Sequence, residues 1–388
     1  MILLTGGTGF LGGSFYMDAF RNGSAEDCLL LVRGPDVEAC RKRLEQNLAL
    51  HSDPETAAVA AAQCGILPGD LQSLPLCTDP RLDAVTHIVH CAADTSFESK
   101  GSVWHINVDG TLALAARARR MKRLQRFLHV GTAFCCGEDR HLEMVVEAPP
   151  PPRGAAHIVD YTRSKAAAES ALDVGFPDLP VVVARPSIVT GHSRLGCQPS
   201  SSIFWFFRLV DHTGILPCRE DGFIDIVPVD WVSARLHDLL RKPDLAHRLY
   251  HVSAGAGSRI SWTDFAAAFA AAGHDGVRPY QFFDHRGPAG WKPFDDAFKR
   301  RFPQRDVLHR TMAMGARKYH RFTAQDIAFD NTRLLAEGFA PAPSFADYLG
   351  TCLDSIDASI AEQFLTDAGM FGFDTSGAAA AAAATATA

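Results

Sequence analysis

Tyr161 and Lys165 stand four residues apart in the segment Tyr161-Thr162-Arg163-Ser164-Lys165. On a helix, residues four apart share a face. A free tyrosine has a pKa of about 10 and exchanges protons poorly near neutrality. An ammonium beside it favours the phenolate and lowers that pKa, which is the expected role of Lys165. Tyr161 then becomes a general acid that can protonate an oxygen on which negative charge develops. Such a pair is also common on helix surfaces, so a third group matters. Thr132 follows the apolar run Gln125–Val130, and parallel strands deliver their C-terminal residues to a ligand crevice. Its hydroxyl is expected to bond the same substrate oxygen. The alternative for Thr132 alone is a strand-end hydroxyl satisfied by backbone.

A hydride carrier is implied further upstream. Thr5-Gly6-Gly7-Thr8-Gly9-Phe10-Leu11-Gly12 follows the strand-like run Ile2–Thr5 and opens a helix-like stretch. The spacing GxxGxxG assigns Gly6 to a tight turn, Gly9 to close approach of a pyrophosphate and Gly12 to close helix packing. N–H groups at the helix start then face the anion. The apolar run Cys28–Arg33 ends on an arginine where a ribose-binding acid would otherwise be expected. A guanidinium suits a 2′-phosphate, so NADP(H) is favoured over NAD. The alternative is an arginine on the surface at a strand end. Asp70, in Gly69-Asp70-Leu71, is placed to bond the adenine amino group or, alternatively, to cap a turn.

The elements that must position these groups alternate. Strands are expected at 2–5, 28–33, 86–91, 125–130 and 181–185, with a third strand whose stretch 66–71 leads into a loop so that Asp70 follows it, and with helices beginning after residue 9 and over 37–50, 108–120 and 161–172. This βαβ alternation predicts an α/β fold with a doubly wound parallel sheet of Rossmann type. After Gly191 the alternation weakens. The expected organisation is a nucleotide-binding core at 1–191, a substrate-region insertion at 192–221, a return to the core at 222–255, a smaller and mostly helical substrate-binding part at 256–372, and a low-complexity tail at 373–388. The run Pro149–Pro152 can be neither helix nor central strand and is expected as a loop near the site mouth.

Composition narrows the classes. The chain has 388 residues, 47% hydrophobic and 21% charged, with a net charge of −6. No long basic run supports nucleic-acid binding. The ten cysteines include no CxxC pair, so reduced thiols are expected and no metal site. The longest strongly apolar run, Ile203–Phe207, is too short to span a bilayer. A soluble cytoplasmic protein is expected, with peripheral membrane contact left open and no oligomeric state implied.

Residues 1–255 resemble the extended short-chain dehydrogenase/reductase superfamily. The resemblance rests on the glycine loop, Gly69-Asp70-Leu71, His90-Cys91-Ala92-Ala93, Asn107-Val108-Asp109-Gly110-Thr111, Gly131-Thr132-Ala133, the Tyr161/Lys165 pair and Arg185-Pro186-Ser187. It implies that Thr132, Tyr161 and Lys165 form the catalytic triad and that Asn107 completes a proton relay. It also implies that Leu71, Ala92, Ala93, Pro186 and Ser187 line the cofactor. Leu31-Val32-Arg33-Gly34, Ala92–Phe97, Arg185–Val189 and Ile226–Val232 are most similar to thioester reductases and fatty acyl-CoA reductases. Gly131 departs from the serine usual there, and Cys135-Cys136-Gly137 from a tyrosine-containing stretch. The expected reaction is NADPH-dependent reduction of an acyl thioester, on CoA or a carrier protein, to an aldehyde or, by a second hydride, to an alcohol. Ile203–Phe207 lines an acyl pocket in this reading, or alternatively forms an ordinary core helix. Two other readings stand beside it. One is a sugar-nucleotide epimerase/dehydratase or a ketone or sterol dehydrogenase. The other is a non-catalytic NADP-binding module.

Overall fold

In the computed structural model, residues 1–97, 101–138, 144–151, 154–201, 203–304 and 306–368 are described. Pro152 of the proline run and the tail at 373–388 lie outside them.

Seven strands form one parallel sheet: β1 (Ile2–Thr5), β2 (Cys28–Val32), β3 (Gly65–Pro68), β4 (His87–His90), β5 (Arg126–Val130), β6 (Val181–Pro186) and β7 (Leu249–Val252). Their order is β3-β2-β1-β4-β5-β6-β7. This is the Rossmann order with a seventh strand added beyond β6. Both faces are covered, so β1 and β2 are buried along their whole length and read as continuous apolar runs. The order reverses between β1 and β4, which opens a crevice at their C-terminal ends.

The helices that matter for the site are α1 (Phe10–Arg21), α2 (Val37–Leu48), α3 (Pro54–Gln63), α4 (Gly110–Ala118), α5 (Asp160–Gly175), α6 (Phe204–Thr213), α7 (Val229–Arg241) and α8 (Val307–Thr323). Helix α1 is held from behind by α7. The Phe15 and His237 rings stack 3.9 Å apart, and His237 Nε2 donates to the Phe15 carbonyl at 3.0 Å. The chain after Gly191 builds a second apolar core around Trp205, Phe207, Trp262, Phe265, Phe294 and Phe345, mostly on helices. The expected α/β architecture with a helical C-terminal part is what forms.

The third strand ends at Pro68, and Asp70 follows it as expected. Two details differ from the expected elements. Helix α3 was not anticipated, although Asp53 accepting from the Thr56 N–H, with Pro54 at the first helical position, is a strong start signal. The helix expected from residue 108 begins at Ser102 and passes through a wide π turn at His105–Asp109 before α4. Such turns concentrate at functional sites, and this one carries Asn107.

Candidate active site

The glycine loop closes on itself. Gly6 has φ +77°, and its carbonyl accepts from the Gly9 N–H at 3.0 Å. A side chain at Gly6 would meet Ala92 N at 2.6 Å, because the loop runs against the end of β4. A Cβ at Gly12 would lie 2.1 Å from the Gly6 carbonyl oxygen, so this glycine lets α1 pack on the loop itself. Gly9 is exposed and meets only that same oxygen, leaving its other side open. These glycines form the kind of cradle a dinucleotide pyrophosphate needs.

Below the loop a chain of hydrogen bonds fixes the backbone. Thr5 Oγ1 lies 2.7 Å from His90 Nδ1, and His90 Nε2 lies 2.9 Å from Thr111 Oγ1. The Thr111 hydroxyl donates to the Asn107 carbonyl at 2.7 Å. It must therefore accept from Nε2–H, which assigns the tautomer of His90. Burial, then the Lys165 charge, pushes His90 down to about 3, so the ring is neutral.

The π turn aims Asn107 across the crevice. Its Oδ1 accepts from the Asp94 N–H at 2.8 Å. Its Nδ2 donates to the Asp94 carbonyl at 2.8 Å and to Ser164 Oγ at 2.9 Å. Ser164 in turn donates to the Tyr161 carbonyl. Asn107 thus ties the Ala92–Asp94 loop to the first turns of α5, and its amide hydrogens are both committed to that tie.

Thr132, Tyr161 and Lys165 all line one cavity of about 500 Å³. Thr132 Oγ1 accepts from the Phe134 N–H at 3.3 Å, which leaves its own proton to donate. Burial, then Cys135, pushes the Tyr161 hydroxyl up to about 12. Lys165 is 2% exposed, and burial pulls it down to about 8 against the opposing charges of Glu169, Cys91 and Cys135. The expectation that Lys165 lowers the tyrosine pKa is therefore corrected: desolvation of the phenol outweighs any help from a lysine that is itself desolvated.

Glu169, one turn beyond Lys165, explains a departure in the sequence. Arg185 on β6 clamps its carboxylate, with Nη2 to Oε2 at 2.6 Å and Nε to Oε2 at 3.0 Å, and donates from Nη1 to the Ala148 carbonyl at 2.8 Å. A Cβ at Gly131 would lie 2.3 Å from Glu169 Oε1. Glycine precedes Thr132 because the carboxylate occupies the space a serine side chain needs.

The remaining expected residues divide. Gly6, Gly9, Phe10, Leu11, Gly12, Ala93, Pro186 and Ser187 line the cavity. Thr5 and Gly7 lie behind it, Gly7 against Leu30, and Ala92 donates its N–H to Thr5 Oγ1. Thr8 is half-buried outside the lining. Arg33 follows β2, is exposed and is not among the residues lining the cavity. Against the opposing effect of burial, hydrogen bonds from Ser102 and Ser96, then the Arg33 charge, hold Asp94 below the usual carboxylate range. Two side chains do something else. The Asp70 carboxylate accepts from the Ser73 N–H at 2.9 Å and closes a turn. Leu71 is buried in the core against Gly110.

Much of the remaining lining is aromatic and apolar: Phe97, Phe134, Ile203, Phe206, Phe207 and Phe322. Within Ile203–Phe207, Phe204 and Trp205 are core while the other three face the cavity. Phe322 packs edge-on to Phe134 at 5.1 Å. Together with Tyr319 and Thr323 it comes from α8, within the helical part 256–372 in which no individual site residue is expected from sequence. The only signal was apolar spacing of three and four within a basic helix.

A family model described as male sterility protein matches residues 4–236. The chain belongs to that family. It is an extended short-chain dehydrogenase/reductase of the male sterility type, an oxidoreductase family whose Rossmann fold binds a nicotinamide dinucleotide. Similar curated proteins include the aldehyde reductase lnaA of Aspergillus flavus, 29% identical over 65% of this chain and 25% of the relative. Fatty acyl-CoA reductase 2 of Mus musculus is 24% identical over 67% of this chain and 59% of the relative. The chain thus spans less than two thirds of either. The terminal R domain from the myxalamid PKS-NRPS biosynthetic pathway shares the fold, with a TM-score of 0.71 over 92% of both chains at 21% identity. Among the described residues, no helix is long and apolar enough to cross a membrane.

Proposed function

We propose that this chain reduces an acyl thioester to an aldehyde with NADPH, and onward to an alcohol where the aldehyde is retained. The observation that carries the reading is a single cavity lined both by the Thr132 and Tyr161 hydroxyls and by an aromatic wall. The names of the fatty acyl-CoA reductase relatives support the substrate class. Gly6, Gly9 and Gly12 would hold the pyrophosphate, Lys165 the nicotinamide ribose, and Ala93, Pro186 and Ser187 the walls around the ring. When bound, the reduced nicotinamide supplies the hydride.

Thr132 and Tyr161 donate hydrogen bonds to the carbonyl oxygen as it becomes an oxyanion. A tyrosine held at about 12 stays protonated through the neutral range, which suits an acid in the reducing direction. Collapse of the tetrahedral adduct breaks the C–S bond. Per turnover, thioester, one NADPH and one proton become aldehyde, free thiol and NADP⁺. The aromatic wall excludes water from the acyl chain and strengthens these polar contacts.

The test is NADPH consumption against acyl thioesters, ketones and nucleotide sugars, with the products identified. Aldehyde or alcohol from a thioester is expected. Turnover of a ketone or sugar with no thioester reduced would sink the reading.

Two further results are expected from the same assay. Arg33→Ala should raise KM for NADPH by about 10- to 100-fold through loss of a charged phosphate contact, and barely change KM for NADH. Equal losses would show that Arg33 does not read the 2′-phosphate. Lys165 is cationic below its pKa of about 8 and neutral above it. If its charge orients the ribose, kcat/KM is level below pH 8 and falls as pH rises through that value. A profile level well beyond pH 8 would exclude the Lys165 charge from the step.

A further inference from the structure

Beside the catalytic cavity lies a second hollow of about 610 Å³, lined by Phe97, residues 154–160, Arg163, Lys318 and Arg321. Phe97 also lines the catalytic cavity, so the two spaces meet at that ring. Helix geometry divides them. On α5, Tyr161, Thr162 and Lys165 face the cavity while Asp160 and Arg163 face the hollow. On α8, Tyr319, Phe322 and Thr323 face the cavity while Lys318 and Arg321 face the hollow. In a chain with a net charge of −6, three cations and one carboxylate, Asp160, line this hollow beside the catalytic cavity.

Arg163 and Arg321 have carboxylate partners. Arg163 Nη2 lies 3.3 Å from Asp160, and Arg321 Nη2 lies 2.6 Å from Glu138. The Arg163 side chain is 55% exposed and stacks over Trp104, and Arg321 is 41% exposed. Exposed pairs of this kind contribute little to stability, so a phosphate can share or replace the carboxylates at small cost. Guanidinium groups also match phosphate oxygens in a two-pronged geometry.

An acyl thioester has two halves. The acyl chain fits the aromatic wall, and the thiol half needs an exit that starts at the carbonyl. We propose that this hollow holds the phosphate end of the phosphopantetheine arm, with Arg163, Lys318 and Arg321 as its anion-binding groups. This rests on the thioester reading above. The phosphate is shared by coenzyme A and by carrier proteins, so the hollow recognises the arm from either source.

The test compares four esters of one acyl group: acyl-CoA, acyl-holo-carrier protein, acyl-pantetheine and acyl-N-acetylcysteamine. The last two lack the phosphate. The wild type is expected to show kcat/KM at least tenfold higher for the phosphorylated esters, with the advantage shrinking as salt rises. Whichever of CoA or carrier protein exceeds the other names the natural source. Arg163→Ala/Arg321→Ala should cut the ratio of acyl-CoA to acyl-pantetheine about tenfold. Calorimetry with free coenzyme A against pantetheine gives the same comparison without turnover. Thioester reduction with no phosphate preference, or a ratio unmoved in the double variant, overturns the inference alone. A wild type that reduces no thioester overturns the functional reading and the inference with it.

Discussion

Tyr161→Phe is expected to lower kcat by about 10²- to 10⁴-fold, the usual contribution of a positioned general acid, while the Kd for NADPH changes little. The substitution removes one oxygen from a ring that lines the cavity. No described hydrogen bond that holds α5 in place uses that oxygen: Ser164 bonds the Tyr161 carbonyl, and Asn107 bonds Ser164. The helix should keep its position, so a lost rate reports chemistry and not folding. Thr132 remains to bind the oxyanion, which accounts for residual turnover. Thermal unfolding checks that the variant is as stable as wild type, and single-turnover kinetics reads the chemical step. A variant with full turnover would remove Tyr161 as the acid and leave Thr132 as the main donor. The elevated pKa of Tyr161 adds a constraint. An enzyme working in the oxidising direction needs the phenolate, and a group held at about 12 resists forming it. Reduction should therefore be fast at neutral pH, and alcohol oxidation slow until the pH is strongly alkaline.

What could be read from sequence follows the range of the interactions involved. Gly9 and Gly12 are constrained by the nearby Gly6 carbonyl, and Gly6 by its own positive φ, so their spacing reports the geometry, although the contact of Gly6 with Ala92 is long-range. Tyr161 and Lys165 share one helix face by periodicity. Burial is different, because it depends on every element packed around a group. The net upward shift of Tyr161, set by burial and not by Lys165, was therefore not recoverable from four-residue spacing. The same holds for Asp70 and Leu71. The motif is right for a strand end beside a nucleotide, but β3 stops at Pro68, and the residues beyond it serve a turn and the core. The aromatic wall was half visible. Phe206 and Phe207 stood out as an apolar run, whereas Phe134 and Phe322 meet only through the tertiary fold. Glu169 left no signal until its partner on β6 was placed beside it.

That partner makes the largest expected effect on stability. Arg185 and Glu169 are 2% and 3% exposed, and their ion pair sits directly beneath the Gly131–Thr132 turn. Removing one member leaves the other charge buried without compensation, which typically costs about 3–5 kcal/mol. Glu169→Gln should therefore destabilise strongly in urea unfolding. Replacing both by apolar residues of similar volume, as in Glu169→Leu/Arg185→Met, should recover most of the loss, because two desolvation penalties disappear together. Gly131→Ser supplies the complementary test. Its Cβ would fall 2.3 Å from Glu169 Oε1, so either the carboxylate or the turn bearing Thr132 must move. The single variant should lose stability and turnover together. In a Glu169→Ala background the space is empty, and the added cost of serine should shrink. The two substitutions are then strongly non-additive, as expected for groups in contact. Additive losses would mean that the glycine is required by the backbone and not by the carboxylate above it. The pair would then be a stabilising feature of the α5–β6 packing, with no bearing on where Thr132 points.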